Sequence, residues 1–164
     1  MVVYFQVKHV ASLLGDGTYV TQSKIKFPVS MADHNRNIVC KASNEVTDHL
    51  KPQKSEILLN VKFAPLISVR EPSIRIKEGR DLNISCDYYA NPSSPVSVTW
   101  LKDNMQISTD NSSKYVTKDK ASWLIIKTVT VQDGGNYTCA IRNIIGEGKP
   151  EHPIHVEILT LPQE

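Results

Sequence analysis

Long apolar runs are missing from this 164-residue chain: no stretch of ~18 consecutive apolar residues occurs, so no segment reads as a membrane-spanning helix. An excess of one charge is missing as well. Nineteen basic and 17 acidic residues are spread along the sequence, leaving a net charge of +2 and no basic stripe for nucleic acid or anionic lipid. The most cationic stretch, Lys114 to Lys120, is interrupted by Asp119 and reads as a solvated strand or loop. Helical periodicity persists nowhere, which leaves an all-β chain. There are only three cysteines and no C-x-x-C pair, which argues against a structural zinc. His152 and His155 stand three apart on an expected strand and therefore point to opposite faces, where they cannot share a metal. Serine, histidine and aspartate occur, but no G-x-S-x-G elbow places a nucleophile. Gly134-Gly135 belongs to an Asp-initiated turn with no strand-to-helix unit after it, so it is not a phosphate loop. No enzyme, metal, cofactor or small-molecule substrate is expected.

What is present is an ordered frame. Trp100 lies 14 positions after Cys86, and Cys139 lies 53 after it, at the end of Asp133-Gly134-Gly135-Asn136-Tyr137-Thr138-Cys139. This order and spacing resemble an immunoglobulin-like β-sandwich of I-set or C2 type. The resemblance implies a cysteine on strand B, another on strand F, a disulfide between them and a tryptophan from strand C packed over it. Tyr137, two residues before the second cysteine, takes the place of the tyrosine corner, and Asp133 and Gly135 complete that signature. The rival reading is two buried free thiols, as in muscle-type domains inside cells.

Short strands separated by turn chemistry follow from residue 67 onward. Strands A and A′ are expected over 67–77 around Pro72. Leu82, Ile84, Cys86 and Tyr88 share one face of strand B, and residues 90–95 form a loop. Val96, Val98 and Trp100 point inward from strand C. Strands C′ and D are expected at 105–108 and 114–118, E at 123–129, F at 136–142 and G at 154–159. On strand E, Leu124 and Ile126 take the inward positions, which leaves Trp123 and Ile125 facing out as a candidate interface.

Three sequons, Asn83-Ile84-Ser85, Asn111-Ser112-Ser113 and Asn136-Tyr137-Thr138, are candidate N-glycosylation sites and favour the secretory pathway. By strand parity Asn83 and Asn136 point outward on opposite sheets, and Asn111 falls in the C′–D region. The opening residues 1–5 lack the basic flank of a signal peptide. Together with the sequons, that suggests a piece of a longer protein.

The first 63 residues carry a weaker copy of the pattern. Val29, Asp33, Cys40, Ala42 and Asn44 echo Val129, Asp133, Cys139, Ile141 and Asn143, and the tyrosine-corner position holds Ile38. Strands E, F and G are expected at 24–31, 37–43 and 55–63, with Ile25, Phe27 and Val29 on one face of E. Cys40 is left unpaired, and without an opposing sheet this half is expected to be poorly ordered. The expected division is an incomplete domain at 1–63, a complete one at 64–160 and a tail at 161–164.

The motifs Asp133-x-Gly135-x-Tyr137-x-Cys139, Cys40-x-Ala42-x-Asn44, Ala90-Asn91-Pro92 and the junction Val61-Lys62-Phe63-Ala64-Pro65 resemble immunoglobulin-superfamily cell-adhesion ectodomains. The corner Asp33-His34-Asn35 without a tyrosine is similar to domains of nephrin, sticks-and-stones, echinoid and sidestep-type receptors. The resemblance implies a non-enzymatic, single-pass cell-surface protein whose partner is another cell-surface protein, itself or another superfamily member. A membrane would be reached only through a transmembrane segment absent from this chain. The alternatives are the ectodomain of a receptor tyrosine kinase, a secreted immune-type protein, and an intracellular structural protein of the muscle type.

Overall fold

Strand-period alternation decides the architecture. The computed structural model describes residues 6–45, 53–94, 96–110 and 112–160. The chain divides into two compact units, Met1–Val61 and Lys62–Glu164, two residues short of the expected boundary.

In the first unit, β1 (Gln6–Leu13) and β2 (Tyr19–Lys26) form one antiparallel hairpin. A second hairpin is made by β3 (Asn37–Ala42) and β4 (Gln53–Leu58). Strand β1 lies outside the strands expected of the sequence, although the Gly15-Asp16-Gly17 turn that closes its hairpin signals it. There Gly17 takes φ +84° and the Asp16 carboxylate accepts bonds from the Thr18 amide and hydroxyl at 3.0 and 2.7 Å. The strand expected at 24–31 ends at Lys26, so Phe27 and Val29 lie beyond it. Pro28, with no N–H to donate, cannot extend a ladder there. The strand expected at 55–63 likewise ends at Leu58, and Phe63 opens the first strand of the next unit.

The second unit is a two-sheet sandwich. Its four-stranded sheet has the order β10 (Tyr115–Lys118), β11 (Trp123–Ile126), β7 (Leu82–Asn91), β5 (Phe63–Val69). The facing sheet runs β6 (Ser73–Lys77), β14 (Ile154–Leu159), β12 (Gly135–Arg142), β8 (Ser97–Lys102), β9 (Met105–Gln106), with β13 (Glu147–Gly148) beside β12. The segment read as strands A and A′ therefore splits between sheets, changing over around Pro72. β6 then pairs with β14 in parallel from Ser73↔His155 to Lys77↔Leu159.

Leu82, Ile84, Cys86, Trp100, Leu124, Ile126, Val129, Tyr137, Cys139, Ile141, Ile154 and Val156 fill the space between the sheets. They come from alternate positions of the central strands. β11 stops at Ile126 rather than running to Val129 because Thr128 adopts φ +46°, a left-handed conformation that ends a strand. The Asp81 carboxylate holds it there, accepting the Thr128 amide at 2.9 Å and Lys127 Nζ at 2.7 Å.

Candidate functional site

The frame of Cys86, Trp100 and Cys139 closes as expected. The Cys86–Cys139 disulfide joins β7 to β12 across the core. Trp100 pairs with Cys139 across β8 and β12 and is 2% exposed. Its indole N–H donates to the Ala121 carbonyl at 2.8 Å, tying the core to the turn that joins β10 to β11. Cys40 is an exposed free thiol on β3.

Signature residues around Asp133 form one hydrogen-bonded corner. A single 3-10 turn spans Val131–Asp133, capped reciprocally by Thr130. The buried Asp133 carboxylate accepts the Thr130 amide at 2.7 Å, its hydroxyl at 3.0 Å and Lys114 Nζ at 2.7 Å. Burial by itself raises this carboxyl's pKa, but the bonds from Lys114 and Thr130 outweigh it and hold the group below the usual value. A native pKa below the unfolded one means the contribution is complete at neutral pH and is lost as pH falls from about 3.8 through the native pKa. Asp133→Asn should cost about 2 kcal/mol at pH 7, and less at pH 2, which lies below the unfolded-state pKa, where the carboxylate's contribution has begun to be lost. Urea midpoints at the two pH values test this.

Tyr137 completes the corner. Its hydroxyl, fully buried, donates to the Asp133 carbonyl at 2.7 Å. Burial, helped by Tyr115 and Asp133, pushes its pKa up, so it stays a donor. Tyr137→Phe leaves that carbonyl without its partner and is expected to cost about 1–3 kcal/mol, seen as a lower urea midpoint at unchanged slope. Gly135 is required twice over: it takes φ +145°, and a Cβ there would stand 2.6 Å from the Asp103 carboxylate. That carboxylate accepts the Asn136 amide at 2.9 Å.

The first unit repeats the corner. Ser30 caps a 3-10 turn at Met31–Asp33, and Asp33 accepts the Ser30 amide at 2.8 Å and its hydroxyl at 2.9 Å. Ser30 and Thr130 share extended backbone angles, φ −126° and −118°, and the two turns lie 100 residues apart.

One polar organiser stands in the sequence reading only as the counterpart of Asn44. Asn143 is buried, donating from Nδ2 to the carbonyls of Phe63 at 2.9 Å and Pro92 at 3.1 Å. Its Oδ1 accepts the amides of Ile145 and Gly146 at 2.9 and 3.2 Å. The pattern Asn143-Ile144-Ile145-Gly146 was the turn signal for part of this role. The rest depends on Phe63, 80 residues away.

Of the residues read as a candidate interface, Trp123 is 37% exposed on the outer face of β11. Ile125 is a correction: it also points to the outer face but is only 7% exposed, flanked in register by Asn83 of β7 and Val116 of β10. Parity gave its direction and not its cover. Asn83 and Asn136 are both exposed, on β7 and β12, while Asn111 and the tail at 161–164 lie outside the described residues. The outer face of β12 and β14 is polar, with Arg142–Glu147 and Arg75–Glu157 ion pairs at 3.0 and 2.7 Å. No helix among the described residues is long and apolar enough to cross a membrane.

The chain is similar to cell adhesion molecule 4 of Xenopus laevis, 26% identical over 85% of this chain and 34% of that protein. It is 29% identical to human Kin of IRRE-like protein 1 over 82% of this chain and 16% of that protein. The chain thus spans about a third of the first relative's length and about a sixth of the second's. Among solved structures, the full ectodomain (Ig1–Ig3) of mouse nectin-like molecule 4 superposes with a TM-score of 0.69, at 18% identity, covering 99% of this chain and 57% of that one. That likeness is one of fold. The immunoglobulin I-set domain matches residues 65–156, which is more than half of the sequence. The chain belongs to the immunoglobulin I-set family and is related to cell adhesion molecules.

Proposed function

We propose that this chain is a non-catalytic recognition segment of a longer, single-pass cell-surface protein. It stands on the extracellular side of the plasma membrane and binds another cell-surface protein, either a second copy or another immunoglobulin-superfamily member. The observation that carries this reading is the likeness to cell adhesion molecule 4, which extends over 139 residues and so reaches beyond the second unit into the first. The Cys86–Cys139 disulfide and the exposed sequon asparagines Asn83 and Asn136 support an oxidising, glycosylating compartment.

On this reading the first unit supplies the last four strands of a preceding sandwich. The repeated Ser30–Asp33 corner supports it, as do the apolar side chains its hairpins leave exposed, among them Val10, Tyr19, Val20, Ile57 and Leu58. Cys40 then stands where Cys139 stands, and its partner and the covering strands belong to the longer protein. The finer resemblance to nephrin, sticks-and-stones, echinoid and sidestep-type receptors rests on the corner without a tyrosine.

The test uses the full-length protein. Expressed on suspension cells, it should take up a membrane-impermeant label and should aggregate those cells or capture the ectodomain of a second surface protein. Failure of surface labelling, or alkylation of Cys86 and Cys139 in the native protein, overturns the extracellular reading. Surface display with neither aggregation nor capture overturns the recognition role.

A further inference from the structure

Where the chain crosses from β5 to β6 it leaves a cavity of about 160 Å³ beside β7, lined by Arg70, Glu71, Ile74, Asn83, Ser85 and Trp123 among others. Asn83 and Trp123 face outward from neighbouring strands on a diagonal, since Trp123 pairs with Ser85 and Ile125 with Asn83. At about 30 Å³ per water in the liquid, the space exceeds a single solvent molecule several times over. One wall is an exposed indole, and the sequon asparagine stands at its edge.

We propose that this cavity seats the first sugar of an N-linked glycan on Asn83, an N-acetylhexosamine packed against the face of Trp123. The inference rests on the extracellular reading above, because the glycosyl donor is met in the secretory pathway. In the transfer, Asn83 Nδ2 forms a bond to the anomeric carbon of the oligosaccharide. The bond from that carbon to the phosphate oxygen of a lipid diphosphate donor breaks, the lipid diphosphate leaves with the electron pair, and Nδ2 gives up one proton. The sugar is tethered at the cavity, so it reaches the indole without the entropy cost of free association. The C–H face of a pyranose presents positive edges to the negative face of the indole. Glu71 brings a carboxylate to the rim as an acceptor for hydroxyls, while the Arg70 guanidinium is held by Asp87 at 2.6 and 3.2 Å. An occupant of this kind explains an exposed tryptophan beside a sequon better than a protein partner does, because a glycan on Asn83 would stand between that partner and the indole.

The full chain, secreted from a eukaryotic host with Asn111→Gln and Asn136→Gln, leaves Asn83 as the acceptor. Trp100 is 2% exposed and Trp123 37%, so collisional quenching of tryptophan fluorescence by acrylamide reads Trp123. With the glycan trimmed to one sugar, quenching should fall about two-fold relative to the Asn83→Gln chain, and the N-acetyl methyl resonance should move upfield under the indole ring current. Trp123→Leu should return that resonance to its free-sugar position, and Trp123→Phe, which keeps a ring in the wall, should give an intermediate shift. A glycosylated Asn83 with unchanged quenching and a free-sugar methyl resonance overturns the proposal. So does an Asn83 left unoccupied in the folded, secreted chain. Neither result bears on the extracellular reading, which fails separately if the native full-length protein is out of reach of surface label.

Discussion

A chain carrying Cys86→Ala and Cys139→Ala should unfold with about 4 kcal/mol less stability than the parent, the loop-closure value for a bridge of this span. The bridge spans 53 residues and joins the central strands of opposite sheets. Cutting it returns chain entropy to the unfolded state and also removes two buried sulfurs from the centre of the core. Unfolding in urea, followed by fluorescence of the buried Trp100, reads the second unit directly. The internal control is Cys40→Ala, whose thiol is exposed and unpaired. It should move the same midpoint by less than about 0.5 kcal/mol. Equal effects from the two changes would mean that the bridge contributes nothing beyond an ordinary cysteine.

Trp100→Ala should cost a similar amount, about 3–5 kcal/mol, through two separable contributions. The first is volume: the largest fully buried side chain of the core disappears from beside the disulfide. The second is a tether. The turn between β10 and β11 places Asp119, Lys120 and Ala121 in succession at φ +50°, +57° and +65°, and each left-handed residue costs roughly 1–2 kcal/mol. The Trp100 indole bond to Ala121 helps hold that turn, together with the Ser122 hydroxyl bond to Asp119 at 2.8 Å. Trp100→Phe keeps most of the volume and loses the tether. It should cost less overall and should speed hydrogen exchange at Ser122, whose amide donates to the Asp119 carbonyl in the same turn. If Phe and Ala variants exchange alike there and differ only in global stability, the tether has no role.

Strand parity made the sandwich of the second unit legible. β14 falls on 154–159 as read, and the Cys86–Trp100–Cys139 frame and the Tyr137 corner stand where the pattern put them. These features are local or fixed by a known spacing. What escaped depends on tertiary placement. Ile125 points outward as parity requires, yet it is buried between β7 and β10 rather than free. The reach of Asn143 to Phe63 and of Lys114 to Asp133 joins residues distant in sequence, and no periodicity encodes such a meeting. In the first unit, β1 and the early end of β2 escaped for a different reason. With its apolar residues left uncovered, the alternation there carries little contrast, and turn chemistry at Gly17 and Pro28 was the better guide.

The parallel pairing of β6 with β14 bears on how the second unit meets mechanical load. The chain enters this domain ahead of β6 and leaves after β14, and the two strands run side by side over five register pairs. Tension between the entry and the exit first loads β5, which pairs antiparallel with β7. It then pulls β6 toward its start and β14 toward its end, so those two strands slide along their common axis. Every ladder bond is strained together, where a hairpin pulled from its open end would give way one bond at a time. Load between the ends of these two strands is thereby borne by the ladder in shear, with the Cys86–Cys139 disulfide behind it as a second stop.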